Sequence, residues 1–342
     1  MSGTVKAGRL RWGILLAVTA LVLAAAGVYA VGAYQRFEES RTAAPSVGVT
    51  AGEPLPGVPF VLFRNTAAGQ GYGNAATVSL SAPAGTRAVS DKACDRVYGT
   101  ASEVVCLKAN RGLVTSYQAD LLDSRWQVQR SWPLPGIPSR TRLNADGSMI
   151  ATTVFVTGHS YATAGFSTET EISTASGSAG NLEDFALTVN GQRLLATDRN
   201  IWGVTFVPGQ SDVFYATAAS AGRIWLVKGS LAARTLTAVH DNVECPSIAP
   251  DGTRIAFKKN DGGQLTAHWS VAVLDLASGR ETVLSEKRSV DDQIEWLDNN
   301  TVLYGLSDEN SEGDSNVWQL GTDPSSQPAL FIPHAWSPSV VR

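Results

Sequence analysis

The sequence predicts an all-β protein: a six-bladed β-propeller of four-stranded blades, preceded by one transmembrane helix. Three observations carry that prediction. From Val58 to Arg342, short β-branched and aromatic runs alternate with Gly, Asp, Asn and Ser turns every 8–12 residues, without amphipathic helical periodicity. A strand–turn–strand unit recurs along this stretch at steps of 43 to 61 residues. The last unit stops after a single strand, and three unclaimed strands stand at the beginning of the domain.

The N-terminal segment 12–34 (WGILLAVTALVLAAAGVYAVGAY) runs 23 residues without a charge. As a helix it reaches about 34 Å, enough to cross a hydrocarbon core of roughly 30 Å. Residues 1–37 contain no acid, while Lys6, Arg9 and Arg11 precede the apolar run. Positive-inside counting therefore keeps residues 1–11 as a cytoplasmic tail and sends the rest outside. A cleaved signal peptide is the competing reading, since Ala24-Ala25-Ala26 and Val28-Tyr29-Ala30 resemble cleavage sites, but its apolar region is usually only about 7–15 residues. Residues 35–57 are polar and rich in Ala, Gly and Pro and read as a linker or stalk, leaving 58–342 as the propeller domain.

Within that domain FVLFRN (60–65), ATVSLSA (76–82) and GTRAVS (85–90) read as three strands. CDRVYGTASEVVC follows as a hairpin turning at Gly99-Thr100-Ala101. Centred on Thr100, it places Cys94 and Cys106 opposite each other, about 4.5 Å apart at Cα in a non-hydrogen-bonded pair, so a disulfide is expected in an oxidising compartment. Cys245, before Pro246, has no evident partner and reads as a small buried residue. The repeated grammar is clearest in RTRLNADGSMIATTVFV (140–156) and CPSIAPDGTRIAFKK (245–259), where a strand enters Asp-Gly, turns and returns apolar. Looser copies are WGVTFVPGQSDVFYATA (202–218) and QIEWLDNNTVLYGL (293–306). Third strands follow at 223–229, 268–276 and 316–321, and fourth strands at 234–240, 280–286 and 328–333. Innermost strands then begin near 94, 141, 202, 246, 293 and 336. Pairing the strand 336–341 with 60–64 closes the ring and removes both open edges. The count is six blades, with five or seven as the alternatives.

LNADGSMIA and IAPDGTRIAF resemble the Pro-Asp-Gly repeats of TolB-like β-propellers, in a WD-like pattern of recurring hairpins. EWLDNNTVLYGL with SNVWQLG is similar to a further repeat whose Asp-Gly has become Asp-Asn-Asn. The ending PHAWSPSVVR and the early cysteine hairpin resemble membrane-anchored TolB-like proteins of actinobacterial type, which the preference for Arg over Lys suits. The resemblance covers about residues 58–342, strongly at 245–342 and weakly at 160–200. It implies a six-bladed platform for protein–protein contact and implies no reaction, because propellers host binding modules and enzymes alike.

Composition narrows the functions. Beyond residue 41 there are 22 basic and 29 acidic side chains and no basic stripe, so nucleic acid is not an expected partner. The four histidines, His159, His240, His268 and His334, form no ligand-spaced pair, and no nucleophile elbow, zincin or phosphate-loop motif stands in a supporting context. GQGYG (69–73) has no helix after it and reads as a loop. No catalytic residue and no cofactor is expected, with one weak exception: Asp308, Asn310, Glu312 and Asp314 stand at alternate positions of a calcium-loop register, although Gln319 replaces the terminal Glu. Segments entering the innermost strands converge on the channel mouth, so Arg199, Trp202, His240, Asp241, Glu244, Asp291, Asp292, His334 and Trp336 are the candidate binding rim. The functional expectation is a membrane-tethered extracytoplasmic interaction or scaffold module with an envelope protein or peptide as partner. The alternatives are an extracellular hydrolase or lactonase-like enzyme with a metal in the channel, and a saccharide-binding sensor.

Overall fold

The hairpins close where the sequence supplies a short carboxylate and a residue free to take positive φ. Asp146 Oδ1 accepts from Ser148 N at 2.9 Å beside Gly147 at φ 75°, and Asp251 Oδ1 accepts from Thr253 N at 2.9 Å beside Gly252 at φ 73°. The computed structural model describes residues 3–51, 57, 59–112, 114–156, 167–174, 177–262, 266–309, 311 and 313–342.

The chain forms six sheets, the six blades of a β-propeller. Blade one runs outward from Ala335–Val341 through Phe60–Asn65, Asn74–Ser79 and Arg87–Ala93 to Val49–Ala51, which joins in parallel. Blade two is Arg96–Gly99, Glu103–Asn110, Ser116–Asp123 and Val128–Leu134. Blade three is Ile137–Leu143, Met149–Val156, Ser167–Thr174 and Gly177–Asn181. Blade four is Asn200–Phe206, Val213–Ser220, Arg223–Ser230 and Thr235–Asp241, extended outward by Ala186–Val189 and Gln192–Arg193. Blade five is Glu244–Ile248, Arg254–Asn260, Trp269–Asp275 and Glu281–Val283, and blade six is Glu295–Trp296, Thr301–Ser307, Ser315–Gly321 and Ala329–Ile332.

The ring closes as the sequence predicts. Phe60 pairs with Val341, Leu62 with Ser339, and Arg64 with Trp336. Packing repeats the same closure at the level of the core, because six clusters of buried side chains occupy the six seams between neighbouring blades. Phe60 and Leu62 meet Val97 and Val104 between blades one and two; Val105 and Leu107 meet Leu143 and Ile150 between two and three. Ile172 meets Phe214 and Trp225 at the next seam, then Tyr215 and Leu226 meet Ile255 and Phe257. Val271 and Val273 meet Trp296 and Tyr304, and Leu303 and Val317 meet Phe63 and Val78 to return to blade one. Each fully buried Val, Leu or Phe stabilises its seam by roughly 1.5–3 kcal/mol, so the seams jointly hold the ring.

Three local features depart from the sequence reading. The long step between the third and fourth units comes from the hairpin 186–193, which turns at Asn190 and Gly191 and lies parallel to the outer strand of blade four. Of the segment expected to be an irregular stalk, the N-terminal part continues a helix that spans Gly3–Thr42, and 49–51 form the extra strand of blade one. The cysteine hairpin is centred one to two residues later than expected, because Thr100 Oγ1 accepts from Glu103 N at 3.2 Å and fixes the turn there. Cys106 therefore pairs across from Val97, and Cys94 lies ahead of the innermost strand. The disulfide still forms, with Cα atoms 5.3 Å apart, joining the crossover from blade one to the second strand of blade two. Cys245 is free and buried.

The helix carries one apolar stretch, Trp12–Gln35, of 24 residues and mean hydropathy 2.5, long and apolar enough to cross a membrane.

Candidate functional site

The innermost strands all run the same way, so the channel has an inlet face, where they begin, and an outlet face, where they end. Bulges interrupt four of these strands near the inlet. Gly203, Cys245 and Ser337 take positive φ (65°, 49° and 55°) at three of them. Such bulges turn backbone groups out of the ladder and re-aim side chains along the axis.

The inlet carries a network of charges. Lys258 Nζ donates to Asp291 Oδ1 at 2.6 Å, and Arg140 Nη2 donates to the Asp291 carbonyl at 3.0 Å. Burial alone would push the Asp291 carboxyl up, but Lys258 and Arg140 hold it below the usual carboxylate range. Asp292 is fully buried, and its Oδ2 accepts from Ser337 N at 3.0 Å and Gly305 N at 3.2 Å. Burial pushes its carboxyl up despite Arg96 and Arg140 nearby. Glu244 accepts from Trp269 Nε1 at 2.8 Å, and the Lys258 ammonium sits 4.6 Å from the Trp269 ring centre.

Of the rim residues named from sequence, this network brings together Glu244, Asp291 and Asp292, with Trp336 stacked 5.8 Å from the Arg96 guanidinium. The others have settings of their own. Trp202 is buried on the innermost strand of blade four. Arg199 donates to the Phe185 carbonyl at 3.3 Å, on the side of blade four. His240 and Asp241 belong to the outer strand Thr235–Asp241, where His240 Nε2 meets Glu281 Oε2 at 3.2 Å and Asp241 stands 4.0 Å from Arg223. His334 Nδ1 meets Asp314 Oδ2 at 2.5 Å at the seam of blades six and one. The reason is geometric: a crossover begins at the outer edge of one blade and reaches the axis only at its last residues.

Asp314, a residue of the calcium-loop register, also accepts from Thr66 Oγ1 at 2.8 Å, so both its oxygens are engaged by protein donors. The Asp308 amide donates to the Asp314 carbonyl at 3.0 Å, and Asn310 and Glu312 lie outside the described residues. Among the described residues no three His, Cys, Asp or Glu side chains converge as a ligand set.

The outlet is open. A cavity of about 580 Å³ is lined by residues from all six blades. Its walls are the turns that follow the innermost strands, including Thr100-Ala101, Ala145-Asp146, Pro208-Gly209 and Ala249-Pro250. The repeated turn motif thus forms the rim. Among its polar lining residues, Tyr98, Arg142 and Glu295 bond to one another. Arg142 Nη1 pairs with Glu295 Oε2 at 3.1 Å, both side chains 7% exposed, and Arg142 Nη2 donates to the Ile294 carbonyl at 3.1 Å. In the amide orientation its neighbours require, the Gln293 side-chain oxygen accepts from Arg142 Nε at 3.0 Å. Tyr98 Oη donates to Glu295 Oε1 at 3.1 Å, and Val340 N reaches the same oxygen at 3.3 Å. Burial raises the Glu295 carboxyl, opposed chiefly by Arg142, and burial next to that carboxylate raises the Tyr98 phenol.

The Tyr98–Arg142–Glu295 group is bonded from within the protein, which suits a rigid floor better than a group waiting to transfer a proton. Sequence reasoning overlooked Tyr98 and Glu295. Their signal was a pair of opposite charges, Arg142 and Glu295, on two innermost strands.

No protein-family profile and no curated protein matches the chain. Among solved structures it is similar to TolB from Acinetobacter baumannii, with a TM-score of 0.57 and 14% identity over 83% of this chain and 66% of that one. It also matches a putative 6-phosphogluconolactonase from Bacteroides uniformis (TM-score 0.44, 11% identity, 80% and 81% of the two chains). An oligogalacturonate lyase from Vibrio parahaemolyticus matches at TM-score 0.42 and 10% identity over 74% and 73%. The TolB likeness speaks for a shared TolB-like propeller fold, and the chain spans slightly less than two thirds of that protein.

Proposed function

We propose that this protein is a membrane-tethered, extracytoplasmic β-propeller that serves as an interaction module of the cell envelope, its outlet mouth receiving a segment of a partner protein. The observation that carries the reading is the outlet cavity, about 580 Å³, open, and walled by contributions from all six blades. A protruding loop or chain end entering it would touch four turns together with strand residues of the other two blades, the arrangement from which concave sites derive specificity. The apolar segment Trp12–Gln35 supports tethering, and the lack of acid before it together with the basic residues at 6, 9 and 11 supports a cytoplasmic N-terminus. The disulfide supports an oxidising compartment for the propeller.

The test is obstruction of the mouth. Ala145 is an exposed lining residue, so Ala145→Trp fills the opening without entering the core. Affinity capture from solubilised membranes with the full chain should recover an envelope protein that the variant fails to recover, while both melt alike. Recovery of the same proteins by both chains would refute the outlet as the docking point.

A further inference from the structure

A second hollow opens on the inlet face, away from the outlet cavity, and shares Arg96 and Trp336 with the inlet network. It holds about 500 Å³ between blades one, two and three. Its lining is unusual in charge: Arg64, Arg96 and Arg111 face one carboxylate, Asp95. That carboxylate is already engaged, since Asp95 Oδ2 accepts from Ala109 N at 2.7 Å, and the Arg111 guanidinium stands 4.0 Å from its other oxygen.

Arg64 and Arg96 each donate through one nitrogen, and the Arg64 guanidinium also lies 5.2 Å from the Tyr72 ring centre. Arg96 Nε donates to the Ser139 carbonyl at 2.7 Å, and Arg64 Nε donates to the Cys94 carbonyl at 3.1 Å. Among the described residues no hydrogen-bond acceptor meets the Nη atoms of either. Trp336 and Tyr117 share the lining, with Arg96 5.8 Å from the Trp336 ring centre. Burial first, then the neighbouring Arg140, push Arg96 down to about 10, with Arg64 adding to this against Asp292 and Asp291. A guanidinium crowded by like charge and fixed through Nε presents its paired donors to whatever anion enters.

We propose that this hollow binds a small organic oxyanion, a carboxylate or phosphate monoester on a flat apolar body, its anionic head between Arg64, Arg96 and Arg111 and its body against Trp336 and Tyr117. Planar oxyanions match the guanidinium fork, and aromatic walls favour a flat body over a bare inorganic ion. The site is independent of the outlet mouth, and either reading stands or falls without the other.

Calorimetric titration of the full chain in detergent tests it with benzoate, phenyl phosphate and uncharged benzyl alcohol. The expected result is one-to-one binding of benzoate or phenyl phosphate, at least about tenfold tighter than benzyl alcohol. Which of the two binds more tightly identifies the head group. Arg96→Gln should weaken that binding by about tenfold or more, and the exposed Arg111→Gln by roughly threefold with an unchanged melting temperature. Arg111→Gln keeps the test readable where Arg96→Gln fails to fold. The proposal is overturned where neither anion saturates below about 10 mM, where benzyl alcohol binds equally well, or where Arg111→Gln leaves the affinity unaltered.

Discussion

Deleting residues 335–342 removes the innermost strand of blade one and opens the ring. The cost can be worked from what that strand touches. Five registered pairs link it to Phe60–Asn65. Ser337 N supplies Asp292, Val340 N supplies Glu295, and Ser339 Oγ bonds to both the amide and the carbonyl of Gly99. Backbone hydrogen bonds contribute about 1 kcal/mol each and those to buried carboxylates about 1.5–3 kcal/mol. Val341, 4% exposed, adds about 1.5–3 kcal/mol of burial, and its removal uncovers Phe60 and Leu62, which are 1% and 0% exposed. The loss is on the order of 10 kcal/mol, comparable with the entire stability of an ordinary domain. At about 2–4 °C per kcal/mol, thermal melting of the full and shortened chains should differ by more than about 20 °C, or the shortened chain should show no cooperative transition at all. A shortened chain that melts within a few degrees of the full one refutes closure through this strand.

Further predictions follow from individual contacts. Replacing Cys94 and Cys106 with Ala should cost about 3 kcal/mol by the chain-entropy account, and peptide mapping without reductant should find these two joined and Cys245 free. Gly203→Ala sets a Cβ 2.7 Å from the Cys245 Cα at φ 65°, so chemical denaturation should show a loss of more than about 1 kcal/mol, against almost none for Leu195→Ala at an exposed position. Although burial opposes it, the pairing of Glu286 with Arg288 and Tyr304 holds its carboxyl at about 2. Its contribution is therefore complete above the unfolded value near 4.5 and is lost as pH falls toward 2, and Glu286→Gln should flatten that part of the acid stability curve. External protease on intact cells should spare an N-terminal tag and remove a C-terminal one, and the reverse pattern overturns the proposed orientation.

The architecture was legible because each blade repeats a local rule. Asp146-Gly147 and Asp251-Gly252 announce turns through side-chain capping and positive φ, and the orphan strand at the end of the chain specifies its own partner. Legibility failed where geometry depends on register or on direction. One or two residues of turn placement decide whether Cys94 faces Cys106 directly, and Thr100 settles it by capping Glu103 N. The hairpin 186–193 carries no repeat grammar, because it extends the outer edge of blade four, from which Leu187 enters the seam with blade three. The candidate rim was read from the segments ahead of the innermost strands, whereas the open cavity lies at their ends. Arg142 and Glu295 are 153 residues apart in sequence, and only ring closure sets them at one depth in the channel.

Site-specific photocrosslinking in living cells tests the central claim most directly. A photoreactive residue at Gln210, on the outlet rim, should yield a discrete adduct with an envelope protein, and one at the exposed Lys228 on the third strand of blade four should not. Adducts from Lys228 alone, or from neither position, would contradict the outlet mouth as the site of partner recognition.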